Sequence, residues 1–294
     1  MKKSKTISRL KVNSIVLFKY FLSVWGALSA FVSLVLTFVS WEDVGITAYS
    51  HKLLLLFSLA TGSAVVSIIM IFIRNKTAIF GDVDKGLLVQ YGDIINLGFN
   101  NCGKGKKIIV IPTNRCFDLS CEKNLIVENS IHGQWIKKYI SSNDSRPKVH
   151  QEIESFLSAH NAEFTEVNIK DKKCGYLHRY APGTIAELYG PNEVIFYLWG
   201  VSEFDSDLRA NCNDLDYFKA LQSLIDYYDT NGQCIDLYCP VFGDHIIRPT
   251  KSTDDVLHFM ISMFKLNRSK IHGNIHIVVY DQKKSDVPIL KYCD

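Results

Sequence analysis

The sequence predicts an α/β protein: an N-terminal two-helix transmembrane hairpin, then a three-layer α/β/α domain on a mixed, largely parallel sheet. Two uncharged apolar runs, Tyr20–Trp41 and Leu53–Ile73, predict the hairpin. Each reaches the roughly 20 residues that a spanning helix needs at about 1.5 Å per residue. Downstream, continuous apolar runs such as Lys107–Thr113 (KIIVIPT) and Val194–Trp199 (VIFYLW) read as strands buried on both faces. Strands alternating with helices imply parallel pairing through crossover helices.

Charge sets the expected topology of the hairpin. Up to residue 76, nine Lys and Arg stand against Glu42 and Asp43, so this segment carries +7 and the rest of the chain −4 of the overall +3. A mildly acidic α/β domain argues against a nucleic-acid partner. Lys2, Lys3, Lys5, Arg9 and Lys11 precede the first span, and Arg74, Lys76 and Lys85 follow the second, whereas Glu42–Lys52 is nearly free of Lys and Arg. The positive-inside rule then places both termini in the cytoplasm and the loop outside, with Trp41 and Tyr49 at the outer interface. A cleaved signal peptide is the competing reading of the first run; its length and the span that follows disfavour it. The expected organisation is a basic tail (1–14), transmembrane helices (15–41 and 53–73) joined by a short loop (42–52), a linker (74–85) and one ligand-binding domain (86–294).

Small residues recur every four positions in both spans, as in Gly26/Ala30, Ser58/Gly62 and Ser63/Ser67. Such faces let helices approach closely, within one chain or between copies. Neither span carries an ionisable residue at its centre, unlike a transporter or proton relay. Eight cysteines lie outside the hairpin, where a reducing cytoplasm leaves thiols free. The pairs Cys116/Cys121 and Cys234/Cys239 lack the knuckle spacing of zinc sites, so no metal is expected.

Along the domain, Leu87–Tyr91 predicts a short strand ending at Gly92-Asp93, and Lys107–Thr113 a buried one. Leu125, Ile131, Trp135, Ile136 and Tyr139 fall near helical spacing, and a second helix is expected around Gln151–His160. Val194–Trp199 is the next strand. Asn213-x-x-Asp216 and Ser252-x-x-Asp255 resemble capping boxes opening helices through Tyr228 and Lys265. Cys234–Val241 and Ile275–Tyr280 complete the strands. Ligands of such sheets bind beyond the carboxyl ends of the strands. Gly98–Lys104 matches GxxxxGK, but Gly105 replaces the metal-binding hydroxyl, and the segment precedes a strand where a P-loop would leave one.

Four segments, in order, resemble a macro domain, the ADP-ribose-binding α/β/α fold. Gly92-Asp93-Ile94 is similar to the family's Gly-Asp-Ile, whose aspartate accepts from the adenine amino group. Ile111-Pro112-Thr113-Asn114 is similar to the strand ending in Ala-Asn, followed by Ser130-Ile131-His132-Gly133. Cys239–His245 (CPVFGDH) resembles the strand and loop that wrap the diphosphate, and Val278-Val279-Tyr280-Asp281 the last strand, whose aromatic residue stacks near adenine. The family's Gly-Gly-Gly loop is replaced here by Arg115–Lys123 (RCFDLSCEK), which disfavours positioning a water at the distal ribose.

The resemblance implies ligand-binding roles for Asp93, Ile94, Asn114, Arg115, Gly243, Asp244, His245 and Tyr280. Each also has a plainer reading. Asp93 caps a turn, Asn114 is a strand-end turn residue, and Arg115 pairs with a surface carboxylate or grips phosphate bidentately. His245 is a surface histidine, and Tyr280 packs in the core or stacks on a base. No nucleophile-and-base set stands out, so no catalytic residue is expected.

A macro domain on a two-span hairpin resembles the membrane-anchored effectors of type II Thoeris anti-phage defence. That resemblance implies a protein of the bacterial inner membrane that is a reader, not an enzyme, and has no resident cofactor. Its ligand would be an ADP-ribose-type signal, a histidine conjugate, made from NAD by a TIR-domain partner. Binding would drive homo-oligomerisation, and the clustered hairpins would disrupt membrane lipid and abort infection. The alternatives are a membrane-tethered ADP-ribosyl hydrolase, an ADP-ribose reader unrelated to defence, or an anchor with no ligand.

Overall fold

A computed structural model describes residues 2–81, 85–100, 105–122, 125–142, 146–242 and 252–292. The chain divides into two units, residues 1–77 with 284–294, and residues 78–283.

The first unit is helical. The basic tail forms α1 (Lys2–Val12), and the apolar runs form α2 (Ser14–Phe38) and α3 (Tyr49–Ile73), each 25 residues long. Both long helices have the length and composition to cross a membrane. Of the small-residue faces, Ser63/Ser67 is the inner seam of α3: Ser63, Ser67 and Ile71 are fully buried. The serine hydroxyls are satisfied within the helix, Ser63 Oγ donating to Leu59 O and Ser67 Oγ to Ser63 O, both at 2.7 Å. Gly26 and Gly62 lie on open faces, where an added Cβ would meet nothing within 4 Å. Arg9 Nη2 donates to the helix-end carbonyl of Ile71 (2.8 Å) and Arg74 Nη1 to Tyr20 Oη (2.7 Å), so basic side chains pin the helices near residues 9, 20 and 74.

The second unit holds the sheet. In chain order its elements are β1 (Lys76–Gly81), β2 (Gly86–Gly92), α4 (Ile94–Phe99), β3 (Lys107–Asn114), α5 (Ile131–Ser142), α6 (Arg146–Ala159), β4 (Phe164–Glu166), β5 (His178–Tyr180), β6 (Ile185–Tyr189), β7 (Val194–Phe204), β8 (Ala210–Asn211), α7 (Asp214–Asn231), β9 (Asp236–Pro240), α8 (Thr253–Leu266) and β10 (Asn274–Tyr280). The strand order is β1-β2-β10-β9-β3-β7-β6. From β2 to β7 every pairing is parallel, as the apolar runs imply. All eight residues of β3 are buried, which requires cover on both faces of the sheet.

The sheet is mixed, as expected, and its antiparallel edge is supplied by β6, a strand the sequence pattern does not mark. β6 runs against β7 through Ile185↔Trp199 to Tyr189↔Ile195, and β8 adds to the far end of β7. The strand expected from Cys234 starts instead at Asp236, because Gln233 and Cys234 take left-handed φ of 48° and 59° in the turn. Of the two expected capping boxes, Ser252 makes the full reciprocal pair with Asp255. Asn213 accepts from Asp216 N and then donates Nδ2 to the Asp216 carboxylate at 2.9 Å, a one-sided version. Most of the GxxxxGK segment lies outside the described residues; Gly98, in α4, sits where a Cβ would come within 2.8 Å of the Phe196 ring.

A candidate ligand cleft at the strand ends

Because the central strands are parallel, their carboxyl ends share one edge of the sheet. At that edge a cleft of about 350 Å³ opens beyond β2, β10 and β9. Gly92, Asp93 and Ile94 form one wall, Val278 and Tyr280 line it from β10, and Pro240 and Val241 from the end of β9. The register Tyr280↔Gly92 puts the last residue of β10 beside the last of β2. The amino termini of α4, α5 and α8 reach the same space through Ile94 and Ile95, Ser130 and Ile131, and Thr253. Positive dipole ends converge there, an environment that favours anions.

The two carboxylate oxygens of Asp93 have different surroundings. Its Oδ1 caps α4, accepting from Ile95 N at 2.9 Å and Asn96 N at 3.2 Å, which is the plainer of its two sequence readings. Its Oδ2 has no partner among the described residues, and the half-buried side chain lines the cleft. Ile94 is buried, and its N–H, the first of α4, has no acceptor inside the helix. The chain thus presents a carboxylate acceptor followed by a backbone donor. Tyr280 does not pack in the core: it is 48 % exposed, its side chain free to lie against a planar group.

Asn114 and Arg115 are not among the residues lining this cleft. Asn114 ends β3 at a register shift and is 3 % exposed. Its Oδ1 accepts from Cys116 N at 3.0 Å, and its Nδ2 is buried with no partner among the described residues. Arg115 takes the carboxylate reading: its side chain, 14 % exposed, donates from Nε to Tyr180 O at 2.8 Å and pairs with Glu203 (3.4 Å) and Asp216 (3.6 Å). Gly243, Asp244 and His245 lie outside the described residues, as do Arg248, Pro249 and Lys251. Their segment joins Phe242 to Ser252, and Val241 and Thr253 on either side of it line the cleft.

The loop that replaces the glycine run folds inward. Cys116, Phe117, Asp118 and Leu119 are all buried. Asp118 Oδ2 accepts from Lys172 Nζ at 2.7 Å in a pair 1 % exposed on each side, while its Oδ1 accepts from Tyr176 N at 2.6 Å. Lys172 Nζ also donates to Tyr176 O. Gly175, at φ +88°, permits this approach, since a Cβ there would sit 2.2 Å from Asp118 Oδ1. Burial pushes the Asp118 carboxyl above its ordinary range, and the Lys172 ammonium opposes that shift.

Sequence reasoning named Ser130-Ile131 at the start of α5 but missed Gln134. Gln134 lies one turn after Ser130, so both fall on one helix face and both line the cleft. Gln134 Nε2 donates to Asn129 O at 2.9 Å. Ser130 is internally engaged, donating Oγ to Val127 O (2.6 Å) and accepting from Gly133 N (3.0 Å). Lys283, three residues past the last strand, also lines the cleft. Elsewhere on α5, His132 is buried with no partner for Nε2 among the described residues, and desolvation drops its pKa to about 3.

A family model described as "Thoeris protein ThsA, Macro domain" matches residues 87–280. The Thoeris protein ThsA of Bacillus amyloliquefaciens (strain Y2) is 25% identical over 263 residues, covering 87% of this chain and 83% of that protein.

Proposed function

Since the chain belongs to the Thoeris ThsA macro-domain family, we propose that its cleft binds the adenine end of an ADP-ribose-type signal and that the protein is a membrane effector of anti-phage defence. The observation that carries the reading is the free Asp93 Oδ2 next to the Ile94 N–H, beside an exposed Tyr280 ring. An acceptor adjoining a donor complements the amino N–H and ring nitrogen of adenine, and a tyrosine face offers stacking. The helix amino termini around the cleft favour the diphosphate.

The signal is read as a histidine conjugate of ADP-ribose made from NAD by a TIR-domain partner. Its binding favours an assembly in which the hairpins cluster and disrupt the inner membrane. Ligand at a hundredfold excess over Kd supplies about 2.7 kcal/mol to the state it prefers. That is of the same order as a typical coupling of about 1–3 kcal/mol between two sites.

Calorimetric titration of the full chain in detergent micelles with ADP-ribose, NAD and histidine-conjugated ADP-ribose tests this. Saturable binding that leaves the ligand intact and prefers the conjugate is expected. Absence of binding to all three overturns the cleft reading, and release of histidine from the conjugate would make the protein a hydrolase.

A further inference from the structure

We propose that Gln134 sets base specificity in the cleft: its Oε1 and Asp93 Oδ2 together form a two-acceptor face that takes both hydrogens of an exocyclic amino group. This rests on the adenine-binding reading above and adds a residue to it.

The amide orientation of Gln134 follows from its partner. Asn129 O is a carbonyl and can only accept, so the nitrogen 2.9 Å away must be Nε2. Oε1 is then the free end, and it has no partner among the described residues. Asp93 is constrained in the same sense, because Oδ1 is held by Ile95 N and Asn96 N and only Oδ2 remains. Both side chains line one cleft. Of the neighbouring donors, the Ser130 hydroxyl proton is directed at Val127 O, and the Ile94 N–H is the one assigned above to the adenine ring nitrogen. The Asn129 side-chain amide offers donor and acceptor alike and so does not discriminate.

Two fixed acceptors reward an amino group and leave a carbonyl at the same position facing two lone-pair sets. Sites built around hydrogen bonds to one substrate group reject analogues lacking it far more strongly than apolar pockets do. A purine with a 6-amino group is therefore admitted and a 6-oxo purine excluded. A single acceptor would tolerate one methyl on the amino nitrogen, since one N–H remains; two acceptors would not.

The test measures Kd on the full chain in detergent micelles for ADP-ribose, its hypoxanthine analogue and its N6-monomethyl analogue. Wild type is expected to bind the monomethyl analogue at least about tenfold more weakly than ADP-ribose, and the hypoxanthine analogue more weakly still. Gln134→Met, which keeps length and helix propensity, is expected to narrow the penalty for monomethylation to within about threefold. Equal binding of ADP-ribose and its monomethyl analogue by wild type overturns the two-acceptor face without needing any variant. So does a Gln134→Met protein whose ligand ratios match wild type. If wild type binds none of the three, the adenine-cleft reading itself falls and takes this inference with it.

Discussion

On the proposed reading Asp93 is both a helix cap and a ligand contact, and substitution can separate the two roles. Asp93→Ala removes both. Loss of the cap on α4, whose first two capped amides are Ile95 N and Asn96 N, costs about 1 kcal/mol. For a domain of this size that lowers the melting temperature by about 2–4 °C. Loss of a charge-assisted hydrogen bond to the ligand costs a further 1.5–3 kcal/mol or so, equivalent to about 10- to 150-fold in Kd. Asp93→Ser separates the two. Serine caps nearly as well as aspartate, so α4 and the melting temperature are expected to hold. Serine has one oxygen, which the cap engages, so nothing remains for the base and affinity should fall as in the alanine variant. The assay pairs thermal melting, followed by tryptophan fluorescence, with calorimetric titration of ADP-ribose. An Asp93→Ser protein that binds like wild type would refute the argument, because the carboxylate would then be only a cap.

Three further outcomes follow from the structure. Lys172→Met leaves Asp118 buried without its cation, which costs about 3–5 kcal/mol near neutral pH; since the folded pKa of Asp118 is raised further, stability is retained at low pH and lost as pH rises, so urea unfolding should show the deficit shrinking between pH 7.5 and pH 5. A deficit below about 1 kcal/mol at every pH would show that the pair is not buried. His132, depressed to about 3, contributes stability that is complete above its unfolded pKa of 6.5 and lost on acidification, about 2 kcal/mol by pH 5; His132→Leu should flatten the unfolding profile by that amount, and an unchanged slope would contradict its burial. Gly62→Leu meets open space, so the hairpin and ligand affinity are expected to stay intact while signal-dependent dye leakage from vesicles falls; undiminished leakage would show that this face takes no part in assembly.

The parts of this chain that the sequence made legible are those governed by local rules. A run such as Lys107–Thr113 has only one comfortable place, the middle of a doubly covered parallel sheet, and β3 occupies it. The cap at Ser252 and the strand ends at Gly92 and Tyr280 likewise follow from short-range chemistry. What stayed hidden depends on partners distant in the chain. Arg115 stands one residue beyond β3, and nothing nearby indicates that Glu203, 88 positions later, will take its guanidinium. The inward fold of residues 116–119 depends in the same way on Lys172 and Tyr176, more than 50 residues downstream, and on a glycine that lets backbone meet carboxylate. Gln134 was obscure for a different reason. On α5 it reads as an ordinary half-exposed polar position, and its significance appears only when Asn129 O fixes which end of the amide faces the cleft. A reading of binding sites from sequence is therefore strongest at strand termini, where topology aims the backbone, and weakest where a side chain's orientation is decided by a partner the local pattern does not name.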